Sequence, residues 1–179
     1  MKWSAARSPR GLTVNSANNL LLVCLEERKL QEFTTCGTLL QNIKLYRDIE
    51  EPRGVVEVRS GQYAVSYEGS VHGVCLVDVK GGKATVLRRY DGRSGSGLKM
   101  KSPRGLAVDK HGNIIVADWD NHRLLVLDHS LTKAYELCLS VDGGLSGPYS
   151  LWYDKSRDRL YVGESEGRVI VVDHMKDFM

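Results

Sequence analysis

The chain has 179 residues, of which 42% are hydrophobic and 26% charged, with a formal net charge of +3. That length supports one domain with a sizeable core, and the composition is that of a globular protein, not a disordered one. A charge this mild does not by itself mark a nucleic-acid binder, and no stretch approaches the ~20 apolar residues of a membrane span.

The start, Met1 to Arg7, lacks the apolar run of a secretory signal. Next comes Pro9-Arg10-Gly11-Leu12, and the same pattern returns at Pro52-Arg53-Gly54-Val55 and Pro103-Arg104-Gly105-Leu106. Pro148-Tyr149-Ser150-Leu151 is a looser fourth copy. The copies lie roughly 45 residues apart, the length of one four-stranded propeller blade. Blades are therefore expected at 9–51, 52–102, 103–147 and 148–179. Residues 1–8 would supply a ring-closing strand that protects an open sheet edge.

Each repeat reads alike. Pro-Arg-Gly is expected as a turn, followed by a short apolar strand such as Leu106 to Asp109. A polar turn then leads to a second strand, Ile114 to Ala117 in the third repeat and Leu160 to Gly163 in the fourth. The third strands, Val74 to Asp78, Leu124 to Asp128 and Val169 to Asp173, are near-continuous apolar runs, which predicts burial on both faces. More polar outer strands follow, as at Lys83 to Tyr90 and Lys133 to Leu139. In the second repeat Glu57 stands where the third has Val108. A shifted register, with Val56 and Val58 packing, is the expected resolution.

The fold class is thus all-β, a β-propeller of four blades, either a closed ring or an open arc of a larger one. In such a fold the turns entering the inner strands share one face, the top, with those joining second to third strands. Arg10, Arg53, Arg104 and Tyr149 would surround the channel mouth there, joined by Trp119, Asn121 and His122 and by Tyr67, Glu68 and His72. The long connection holding Arg88, Arg89, Arg93, Lys99 and Lys101 belongs to the same face, and its glycines and serines suggest flexibility. Arginines with exposed aromatics suit single-stranded RNA or an acidic peptide. The competing reading is structural, with each arginine paired to a neighbouring blade.

Asp118-Trp119-Asp120-Asn121-His122-Arg123-Leu124 resembles the NHL repeat, and the segment from Pro103 to Asp128 follows that pattern nearly position for position. The resemblance is closest to the C-terminal propellers of tripartite-motif (TRIM) ubiquitin ligases. It implies a non-catalytic scaffold that recognises protein or RNA, without a cofactor, in the cytoplasm. The chain shows no RING or B-box pattern of cysteines and histidines. Some related propellers, amidating lyases and lactonase-like hydrolases, hold a metal in the channel, and a lyase or hydrolase of that kind is the alternative function. His72, His111, His122, His129 and His174 do not share one repeat position, so no metal site is assigned. There is no Gly-x-Ser-x-Gly turn and no phosphate-binding glycine loop. Cys24, Cys36, Cys75 and Cys138 form no CxxC pair and are expected as buried, reduced thiols. A homodimer is expected if four blades do not close alone.

Overall fold

The computed structural model describes residues 8–93, 97–140 and 142–173. The proposed closing strand at 1–8 falls outside them except for Ser8. So do Ser94 to Ser96 of the basic connection, and His174.

Four antiparallel units follow one another. The first blade comprises β1 (Pro9–Val14), β2 (Leu20–Cys24), β3 (Lys29–Phe33) and β4 (Leu39–Lys44). The second has β5 (Pro52–Arg59), β6 (Gln62–Tyr67), β7 (Gly73–Lys80) and β8 (Lys83–Tyr90). The third has β9 (Pro103–Val108), β10 (Ile114–Asp118), β11 (Arg123–Leu127) and β12 (Ala134–Leu137). The fourth has β13 (Pro148–Asp154), β14 (Arg159–Glu164) and β15 (Val169–Asp173). Within each blade neighbours in sequence are neighbours in the sheet, and a single parallel bridge, Lys44 to Lys83, joins the outer strands of the first two blades. This is a β-propeller architecture.

Three apolar clusters fill the three spaces between consecutive blades. Leu21, Val23, Leu30 and Ile43 meet Val55, Val65 and Val77 between the first and second. Ala64, Val74 and Leu76 meet Leu106, Val108 and Ile114 between the second and third. Ala107, Ile115 and Leu124 meet Tyr153, Leu160 and Ile170 between the third and fourth. Strands buried on both faces explain the continuous apolar runs.

The Pro-Arg-Gly motif is not a turn. Each copy opens an inner strand, with proline at its first residue, where a missing N–H costs no ladder bond. The glycine permits close approach. A Cβ at Gly11 would lie 2.6 Å from the Arg53 carbonyl oxygen, one at Gly54 2.4 Å from that of Arg104, and one at Gly105 2.7 Å from that of Tyr149. Each inner strand thus presses on the backbone of the next. Ser66, fully buried, ties one such junction. Its hydroxyl accepts from the Gly54 N–H at 2.8 Å and donates to the Arg104 carbonyl at 2.6 Å.

The fourth blade breaks the pattern. Ser150 replaces the glycine, and Trp152 stands where the third blade has Ala107. Trp152 is 59% exposed, as are Val169 (64%) and Val171 (47%) on the same side. The expectation that β15 is buried on both faces is therefore corrected, since only Ile170 and Val172 face inward. Among the described residues no strand of the first blade joins the β13–β15 sheet.

Two smaller expectations resolve as well. The register shift expected at Glu57 does not occur, because Glu57 pairs with Tyr63 as Val108 pairs with Ile114. Val56 and Val58 pack between the second and third blades, while the Glu57 carboxylate accepts from the Ser16 hydroxyl at 3.2 Å and from its N–H. Cys24 and Cys75 are buried free thiols, whereas Cys36 and Cys138 are exposed, which corrects the expectation for that pair. Burial pushes the Cys75 thiol up to about 12.

Candidate binding site at the channel mouth

Because Arg10, Arg53, Arg104 and Tyr149 each sit second in an inner strand, side-by-side packing of the four strands brings them together. They line one cavity of about 150 Å³ at the top of the channel. The predicted gathering of these residues is therefore realised, but their roles differ.

Arg53 and Arg104 are tied together by one buried carboxylate, Glu68, which follows β6. Arg53 donates from Nε and Nη2 to Glu68 Oε2 at 3.1 and 2.8 Å, and from Nη2 to Glu51 at 2.7 Å. Arg104 Nη2 stands 3.3 Å from Glu68 Oε1. The Glu68 side chain is 10% exposed and both arginines 14%, so this charge pairing is little screened. Arg104 Nε and Glu68 Oε1 are buried without a hydrogen-bond partner. The Arg104 guanidinium also lies 4.8 Å from the Trp119 ring centre and 5.6 Å from that of Tyr149, within cation–π range of both. Arg10 is exposed and makes no ion pair with a described residue.

The remaining loop residues hold the blades. Asp118, fully buried at the end of β10, accepts from the Lys101 N–H at 2.7 Å, from Asn121 Nδ2 at 2.8 Å and from Arg123 Nε at 2.8 Å. Glu164 does the same in the fourth blade for the Ser146 N–H at 2.6 Å and for Arg168, and the Arg168 hydrogen bond holds its carboxyl below the usual range. His122 Nδ1 accepts from the Gly147 N–H at 2.9 Å, and His72 Nδ1 from the Ser102 N–H at 2.7 Å. Both histidines therefore latch onto the residue just before the next blade's proline. Asn121 and His122 thus each take part in a hydrogen bond that ties a loop to its own or the next blade.

The basic connection is largely neutralised. Arg89 pairs with Asp48 at 2.8 Å and lies over Tyr67, Arg93 pairs with Asp91 at 3.6 Å and Lys101 with Asp120 at 3.4 Å. Arg88 and Lys99 are exposed, though the Lys99 carbonyl accepts from Asn121 and Arg123. Below the mouth the channel widens to about 520 Å³ between Leu12, Val14, Leu106, Val108 and Trp152, with Glu57 at its edge. Among the described residues no three His, Cys, Asp or Glu side chains converge as a metal site needs.

The role of Glu68 was not foreseen. Its repeat position gives no signal, since Tyr67, Asp118 and Glu164 pair with the opening prolines at the ends of the second strands, and Glu68 falls one residue later, at the place of Trp119.

The family model of the NHL repeat matches part of this architecture. Residues 100–127 carry an NHL repeat. No curated protein matches the chain. Among solved structures, a protein of unknown function from Bacteroides caccae superposes with a TM-score of 0.71 at 16% identity, over 92% of this chain and 63% of that one. The nidogen/laminin complex superposes with a TM-score of 0.71 at 17% identity, over 92% and 60%. A virginiamycin B lyase from Staphylococcus aureus gives 0.57 at 14% identity, over 93% and 55%. The chain thus spans less than two thirds of the length of these proteins, and at such identities the likeness speaks for the fold alone.

Proposed function

We propose that this chain is a non-catalytic binding module that engages a protein partner through its channel mouth. The role corresponds to that of the substrate-recognition propellers of TRIM-type ubiquitin ligases. One observation carries the reading. Arg10, which has no ion pair among the described residues, a half-buried Trp119 and a 43%-exposed Tyr149 converge around a rigidly held Arg104. Arginine, tryptophan and tyrosine clustered at a pocket are the composition of interaction hot spots. A protein is favoured over RNA because most cations of the mouth and of the basic connection already have carboxylate partners, leaving no continuous track for phosphates. The lyase-like neighbours support the fold and not a reaction, and the channel-metal alternative draws no support from the geometry of the described residues.

The test is a photo-crosslinking amino acid placed at Tyr149, with Tyr46 on the outer rim as control. Adducts should form with protein at position 149 and not at 46. Adducts with RNA alone, or equal labelling at both positions, would overturn the proposal.

A further inference from the structure

We infer that the mouth is a clamp for a single carboxylate, so that the partner proposed above is recognised through an acidic side chain of an exposed segment. The inference rests on that reading and adds the chemistry of the ligand.

Size sets the first constraint. A cavity of about 150 Å³ holds a group of roughly benzene dimensions, which fits one side-chain tip but not a stretch of polymer. Charge sets the second. Three arginines meet there, against Glu68 inside and Glu51 at the rim, so the mouth keeps an excess positive charge carried by Arg10.

Arg104 is the fixed arm of the clamp. Trp119 and Tyr149 lie against its guanidinium, Glu68 holds Nη2, and Nε is buried. The nitrogen left to a ligand is Nη1, which has no hydrogen-bond or ion-pair partner among the described residues and is not one of the buried unpaired atoms. An arginine immobilised beforehand loses little entropy on binding. Arg10 enters from the first blade, exposed and free of ion pairs with described residues, and is the arm that moves. A carboxylate between them accepts one N–H from Arg104 Nη1 and others from the Arg10 fork, each a charge-assisted bond.

Glu68 sets the third constraint, on ligand charge. Its Oε1 is buried beside Arg104 without a hydrogen bond, so it opposes any second negative charge brought to the same guanidinium. That repulsion offsets part of the attraction from the arginines, and a cavity of about 150 Å³ takes a planar carboxylate more readily than the bulkier tetrahedral phosphate. Arg53 is a positioning residue. Both of its bonding nitrogens are spent on Glu68 and Glu51.

The experiment is fluorescence polarisation with four labelled probes: hexaglutamate, hexaglutamine, a phosphoserine-containing hexapeptide of otherwise neutral sequence, and hexauridylate. Hexaglutamate should bind at least tenfold more tightly than each of the others. Arg104→Lys keeps the charge facing Glu68 but loses the planar face and the fork, and should weaken hexaglutamate about tenfold. Arg10→Ala should weaken it several-fold, and Lys80→Ala, on the exposed β7–β8 turn outside the cavity, should not change it. Unaltered thermal melts would confirm that each variant is folded. Equal binding of hexaglutamine, preference for the phosphopeptide or the RNA, or unchanged affinity in Arg104→Lys would each overturn the clamp. If protein crosslinks at Tyr149 persist while glutamate dependence is absent, the clamp fails and the protein-binding reading survives. If those crosslinks are also absent, both fall.

Discussion

Adding one methyl group at Gly54 tests how the blades are joined. The Gly54 backbone does not use a positive φ, so alanine is conformationally acceptable and its cost is purely one of crowding. The new Cβ would lie 2.4 Å from the Arg104 carbonyl oxygen and 2.9 Å from Ser66 Oγ. The first neighbour is backbone of the next blade, and the second is the hydroxyl that bridges the two blades. Overpacking a tight site costs roughly 1–3 kcal/mol, and breaking the buried Ser66 bridge adds on the order of 1–3 kcal/mol. We therefore expect Gly54→Ala to lose about 3 kcal/mol or more, a large part of a typical domain's stability. In urea unfolding followed by circular dichroism, with a slope near 2 kcal/mol/M, the midpoint should fall by about 1.5 M. Ser150→Gly at the equivalent position of the fourth blade relieves no crowding and should move it far less. A Gly54→Ala midpoint within about 0.3 M of the parent would refute the close-approach argument.

Other expectations follow from the latches and turns. His122→Ala removes an acceptor from the Gly147 N–H and should cost about 1 kcal/mol, with faster hydrogen exchange at that amide. His72→Ala should act the same way on the Ser102 amide, and the two losses should add, since they concern different junctions; unchanged protection at either amide would dismiss the latch. Asp128 is partly desolvated, which would raise its pKa, but hydrogen bonds from Ser130, from the Lys133 N–H and from Thr132 bring the carboxyl down to about 2. A carboxyl lowered on folding stabilises fully above its unfolded value of about 3.9 and loses that contribution as pH falls towards 2. Acid titration should therefore show a step between about pH 4 and pH 2 that Asp128→Asn abolishes. A step that persists in Asp128→Asn would assign it elsewhere.

The repeat period and apolar runs made the blade order readable in the sequence, because each strand buried between two neighbours must be apolar along its whole length. The same reasoning misjudged β15. Val169 and Val171 look like Leu124 and Val126, yet among the described residues one side of their sheet meets no further blade. Pro-Arg-Gly suggested a turn by composition, whereas the structure uses its glycine for proximity and its proline to begin a strand. The convergence of Arg10, Arg53, Arg104 and Tyr149 was visible from repeat phase alone. Which of these arginines is occupied depends on Glu68, a long-range pairing between blades that no local pattern encodes.

Ser150 and Trp152 bear on any attempt to lengthen this propeller by splicing in extra repeats. A copy of the third blade appended after Asp173 at the native spacing would drive its backbone carbonyl into the Ser150 side chain and its inner strand into the indole. Grafting would first require restoring the small residues found earlier in the chain, through Ser150→Gly and Trp152→Ala. Insertion upstream, between the second and third blades, meets glycine and Val56 at these positions and needs no such change.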